Sequence, residues 1–122
     1  MQLFNTMWSP ETQERLRILN SSWDASDEEW LERDNSDYEF RNAWDIHAME
    51  WEAIGTLLKK GLYDVELLAL YIATQTIRTW ERYSDIIHNW QLSNKRAYDM
   101  WEYTYDTLMK YLEEHLELAP GP

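Results

Sequence analysis

Residues 36–61 read SDYEFRNAWDIHAMEWEAIGTLLKKG, and this stretch decides the fold class. Phe40, Trp44, His47, Trp51, Ile54 and Leu58 recur at alternating steps of four and three. A helix turns once in about 3.6 residues, so these six share one face while most charged residues fall elsewhere. Ser36-Asp-Tyr-Glu39 has the spacing of a capping box, which predicts a helix start with Ser36 as its cap. Lys59-Lys60-Gly61 predicts the end. Cations suit the negative C-terminal dipole, and glycine takes the left-handed turn that stops a helix.

Moving outward, Ser9-Pro10-Glu11 predicts a second helix start: a Ser cap, Pro at the first helical position, then an acid in the first turn. That helix should run to about Asn20, with Leu16, Leu19 and Trp23 as its buried side. Between it and the central stretch, residues 24–39 carry eight acids and one Arg, a net charge of -7 in 16 residues. This reads as an acidic connector, with a short helix at Asp27-Glu-Glu-Trp30-Leu31 inside it. On the other side, Asp64 caps a long helix reaching about Trp90, with Leu67, Leu70, Tyr71, Ile77, Trp80, Ile87 and Trp90 as apolar positions and a kink expected near Thr74-Gln75-Thr76. After Leu92-Ser-Asn94 a last helix carries Ala97, Trp101, Leu108, Tyr111 or Leu112, and His115. No stretch alternates as a strand does, and no internal repeat is visible. The expectation is an all-α bundle of four or five helices, three of them long and enclosing an aromatic-rich core. Residues 1–118 should form one domain, and residues 119–122 should fray.

Composition narrows the function classes. The 122 residues include 23 acids against 11 Lys and Arg, a net charge of -12, and 18 aromatics, eight of them Trp. Disordered chains lack aromatics, so a folded domain follows. Without cysteine there is no disulfide scaffold and no thiolate metal cluster. Direct nucleic-acid binding is disfavoured, because it depends on Lys and Arg neutralising phosphates. Met1 to Trp8 lack the pattern of a secretory signal, and the longest uncharged run, residues 67–77, is half of what a bilayer span needs. The expectation is a soluble, cytoplasmic protein without membrane association.

Three histidines invite chemical readings. His47 lies on the apolar stripe and reads first as a core imidazole. His47-Ala-Met-Glu50 and Asp85-Ile-Ile-His88 each set an imidazole and a carboxylate three residues apart, the spacing that lets two ligands share an ion. One pair is reversed relative to bundle metal sites, and no bridging Glu stands on the other stripes, so neither metal nor cofactor is expected. Arg41-Asn42-Ala-Trp-Asp-Ile-His47 resembles the Arg-polar-x4-His motif of HEPN superfamily helical ribonucleases, which implies Arg41 and His47 as cleavage residues. Arg82 to His88 repeats the spacing without the polar residue. Six residues along a straight helix leave Arg and His about 120° apart, and the surrounding acidity repels phosphate.

As a whole, Ser9 to Leu112 resembles a group of small microbial all-helical domains of unknown function. The resemblance rests on the Ser-Pro-Glu start, on WEAIGTLLKKGLYD at residues 51–64 and on IRTWERYSDII at residues 77–87. It implies a helical fold and assigns no activity. The functional expectation therefore comes from charge: a non-catalytic interaction or regulatory module whose Asp27, Glu28, Glu29, Glu32, Asp34 and Asp37, with Trp30 as an aromatic anchor, dock on a basic protein partner. A nucleic-acid mimic, with carboxylates in the places of phosphates, is its specialised form. Trp8, Trp23, Tyr98, Tyr103 and Tyr105 are further candidate anchors, and stripes this aromatic can also seal a homodimer.

Overall fold

The computed structural model describes residues 9–121. Trp8 and the rest of the first eight residues, with Pro122, lie outside the described residues, and so do the expectations placed on them. The described chain is all-helical: α1 (Pro10–Asn20), α2 (Asp27–Ser36), α3 (Tyr38–Lys59), α4 (Val65–Tyr71), α5 (Ala73–Gln91), α6 (Asp99–Glu114) and a closing 3-10 turn, Leu116–Leu118. The chain divides into two compact units, Met1–Ala48 and Met49–Pro122.

In the first unit, local capping explains each helix. The Ser9 hydroxyl accepts from the Thr12 N–H at 3.2 Å, with Pro10 in the first turn. Ser26 does the same for α2, accepting from the Glu29 N–H at 3.2 Å and donating to the Glu29 carboxylate at 3.2 Å. The capping-box spacing is thus used at Ser26–Glu29, and three acids in the first turn add dipole stabilisation. The acidic connector is therefore largely helix. Ser36 is not the cap of α3: it closes α2, its hydroxyl donating to the Glu32 carbonyl at 2.9 Å. Asp37 takes the role one residue later, its carboxylate accepting from the Phe40 N–H at 3.1 Å while its own N–H donates to the Arg33 carbonyl. One aspartate ends one helix and begins the next. The core here is Trp30, edge-on to Phe40 and Trp44 at 5.3 and 4.8 Å, together with Leu19.

In the second unit the end of α3 follows the sequence expectation. Gly61 has φ +73, and the Gly61 and Leu62 N–H groups donate to the Leu58 and Leu57 carbonyls, the paired bonds of a Schellman motif. Asp64 caps α4 by accepting from the Glu66 N–H at 2.9 Å. The expected helix from Asp64 to Trp90 is two helices. It breaks at Ile72, a β-branched residue at φ -136, ψ 26, rather than near Thr74–Thr76. The Thr76 hydroxyl and N–H both donate to the Ile72 carbonyl, so the break leaves it satisfied. Its buried face is Leu68, Ala69, Ile72, Ala73, Thr76, Trp80, Tyr83, Ile86 and Ile87, while Leu70 and Tyr71 are exposed. Across both units all six residues of the α3 stripe are buried.

Trp101 on α6 is fully buried and gathers the second unit's aromatics. Its ring lies parallel to Trp51 at 6.0 Å and meets Trp80, Tyr83 and Tyr98 at 5.9 to 6.3 Å. One turn of α3 prepares this arrangement. Beside Trp51, the Glu52 carboxylate accepts from the Trp101 N–H at 2.7 Å, which caps α6 from another helix. Burial pushes the Glu52 carboxyl upward, and the Trp101 and Met100 amides pull it back. Gly55, a turn further, lets the Met100 carbonyl approach: a Cβ there would sit on that oxygen, 2.6 Å from its carbon and 2.8 Å from the Thr104 hydroxyl. α6 needs this help because Tyr98, before its first residue, is left-handed at φ 53 and supplies no side-chain cap.

Candidate functional site

The seven residues expected to meet a partner separate into three groups. Glu28, Glu29 and Glu32 are exposed, with Glu28 and Glu32 one turn apart on one face of α2 and Glu29 about 100° round from Glu28. Asp27, Asp34 and Asp37 are half-buried on or beside the opposite side. Trp30 has no exposed surface at all, which removes it as an anchor for a partner and makes it the centre of the unit's own core. A single large apolar residue on α2, surrounded by acids, has one low-energy place, and that is inside.

The electrostatics of the face follow from where the one cation of α2 goes. Arg33 donates through Nη1 to the Ser21 and Ser22 hydroxyls at 2.7 and 2.6 Å and through Nε to Asp37 at 3.3 Å. Its guanidinium also lies 4.4 Å from the Phe40 ring centroid. The cation is thus committed to the interior side of α2. Glu28 and Glu32 have no ion-pair partner among the described residues. The Asp37 carboxyl is held down by the Phe40 N–H it accepts from and by Arg33, as its capping role requires. Asp34 is pushed up by burial, opposed by Arg41 and reinforced by Asp45, and its Oδ1 has no hydrogen-bond partner among the described residues.

The ribonuclease pair is not brought together. Arg41 is exposed on α3, whereas His47 is buried and its pKa is pushed down to about 4 by burial, with Arg15 adding to the effect. The imidazole is neutral near physiological pH, and its ring faces Trp44 at 6.3 Å. Of the metal-spaced residues, Glu50 is half-buried, and Asp85 and His88 are exposed. His88 pairs instead with Glu102 across 3.1 Å. Among the described residues no three His, Cys, Asp or Glu side chains are grouped to hold a metal ion.

Of the other candidate anchors among the described residues, the three tyrosines are engaged within the second unit. Trp23 is half-buried, Tyr98 packs on Trp90 and Trp101, Tyr105 on Trp80, and the Lys59 ammonium lies over Tyr103 at 5.8 Å. No helix of the described residues is long and apolar enough to cross a membrane.

A family model described as "Domain of unknown function (DUF4760)" matches residues 1–111, from the N-terminal unit to within α6. No curated protein and no solved structure matches the chain.

Proposed function

The chain belongs to the DUF4760 family, and from that premise we propose that it acts in the cytoplasm as a non-catalytic interaction module whose α2 acids dock on a basic protein surface. The observation that carries this reading is the disposition of α2. Its single aromatic and its single cation both turn inward, so Glu28, Glu29 and Glu32 face solvent, and Glu28 and Glu32 have no ion-pair partner among the described residues. Such a face raises the association rate of a basic partner and makes binding sensitive to salt, with a Debye length of about 8 Å at physiological ionic strength.

The test uses a variant with Glu28→Gln and Glu32→Gln on α2 and Asp24→Asn, an exposed acid just ahead of the helix, which leaves the Ser26–Glu29 cap and Asp37 intact. A basic partner recovered with the wild-type protein should bind the variant more weakly, and the wild-type affinity should fall as salt rises. Equal affinity for both proteins, with no salt dependence, would sink the proposal.

A further inference from the structure

The second unit holds a feature of the opposite sign. A cavity of about 310 Å³ lies where the end of α3 meets the start of α6, lined by Thr56, Lys59, Lys60, Arg96, Asp99 and Met100. Three of the chain's 11 Lys and Arg residues therefore face one hollow in a protein of net charge -12. Arg17 is drawn to Glu14 and Arg33 to Asp37, so not every base of the chain is left open. Lys60 and Arg96 have no ion-pair partner among the described residues.

The backbone that carries Lys60 and Arg96 is fixed on both sides. Lys60 lies between the end of α3 and the Schellman turn, where the Gly61 and Leu62 bonds lock the chain. Arg96 is held by its own N–H, which donates to the Asn94 carboxamide at 3.1 Å, and by its carbonyl, which accepts from the Asp99 N–H. Tyr98, two residues on, occupies the left-handed region that only glycine and asparagine enter readily. The Trp90 and Trp101 rings against it hold that conformation.

We propose that this cavity is a binding site for a small molecule bearing a phosphoryl group, held between Lys60 and Arg96. A phosphoryl group carries a charge of about -1.5 to -2 near neutral pH and three acceptor oxygens, which suits two cations without partners better than a single carboxylate does. The volume is at the small end of ligand sites, about 300–1,000 Å³, and admits one compact metabolite rather than a polymer. Asp99 on the same wall favours a ligand that also presents a hydroxyl or amine. Lys59 contributes charge while resting over Tyr103.

The experiment is a titration of the isotopically labelled full chain with inorganic phosphate and with pyrophosphate, against sodium chloride at equal ionic strength, read from amide resonances. Pyrophosphate should shift the amides flanking Lys60 and those from Arg96 to Met100, saturably, where chloride does not. Lys60→Gln with Arg96→Gln should weaken this at least ten-fold, since each charge-assisted bond is worth roughly a factor of ten. Asp99→Asn should tighten it by removing an opposing charge. Both sets of variants change exposed or half-exposed side chains, and an otherwise unchanged spectrum establishes that the fold is kept. Shifts that fail to saturate, that spread over all surface cations, or that survive in the double variant overturn the proposal.

Discussion

Gly55→Ala is the sharpest test of how the second unit is assembled, because two effects of known size oppose each other there. In an isolated helix, alanine is better than glycine by about 1 kcal/mol. The structure reverses the sign. The new methyl would lie 2.6 Å from the Met100 carbonyl carbon and against its oxygen, and these are backbone atoms that cannot rotate away. Overpacking of this kind costs about 1–3 kcal/mol. Moving Met100 outward also pulls the Trp101 N–H from the Glu52 carboxylate, a charge-assisted bond of about 1.5–3 kcal/mol, taken at its lower end because Glu52 is half-exposed. After subtracting the propensity gain, the net loss is about 2–3 kcal/mol. With a urea slope of about 2 kcal/mol per M, the midpoint followed by circular dichroism should fall by about 1 M. Ala53→Gly, exposed on the same helix, is the control and should cost only the propensity difference of about 1 kcal/mol. In combination with Glu52→Ala the loss should be less than additive, since both substitutions act on the same bond. A midpoint for Gly55→Ala equal to or above the wild type would refute the packing argument.

Other expectations concern the first unit. Trp30→Ala should destabilise it by about 3–5 kcal/mol, measured by urea unfolding, because the ring is fully buried between Phe40 and Trp44. A surface anchor would instead lose binding and keep stability. Arg33→Lys should cost about 1–2 kcal/mol in the same assay, since an ammonium cannot reproduce the fork that reaches Ser21, Ser22 and Asp37 while stacking on Phe40. His47 has a folded pKa of about 4, below its unfolded value of about 6.5, so the unfolded chain binds the extra proton. The associated stability is complete above about pH 6.5 and is lost progressively as pH falls toward 4, amounting to about 3 kcal/mol. The difference in unfolding free energy between wild type and His47→Gln should shrink over that window, and a constant difference would show that the imidazole is not buried neutral.

What could be read in advance depended on whether the information lay within one helix. The α3 stripe was legible because each large apolar residue stands at the right spacing, and because Gly61 needs no tertiary context to end a helix. The start of the same helix was misread by one residue. Ser36 and Asp37 are both good caps, and the choice between them is made by Ser36 closing α2, which only the neighbouring helix determines. The face of α4 was read one step off for a similar reason, whereas Trp80 and Ile87 on α5 are buried as expected. Leu70 and Tyr71 draw attention by size, whereas Ala69, Ala73 and Thr76 are what the core accepts. Glu52 and Gly55 gave no signal at all, since a cap and a close approach supplied to a residue some 49 positions away leave no local pattern. In the candidate site, Glu28, Glu29 and Glu32 were legible as exposed charge, but the half-burial of Asp27, Asp34 and Asp37 was not, nor was Trp30 legible as core while residues 24–39 were taken for a connector.

That last correction separates the acids' binding from their folding role. If α2 were held by its acids, neutralising them would unfold it, and loss of binding would mean nothing. The structure holds α2 by Trp30, by Arg33 and by the Ser26 and Asp37 caps, none of which uses Glu28 or Glu32. Those two carboxylates stand one turn apart, so they repel each other by about 0.2–0.5 kcal/mol. Neutralising Glu28 also gives up its interaction with the helix N-terminus, about 0.3–1 kcal/mol, so Asp24→Asn, Glu28→Gln and Glu32→Gln together should leave the urea midpoint nearly unchanged while weakening a basic partner. A fall of the triple variant's midpoint comparable to that of Trp30→Ala would instead make the acids structural, and would remove the reason for assigning them a partner.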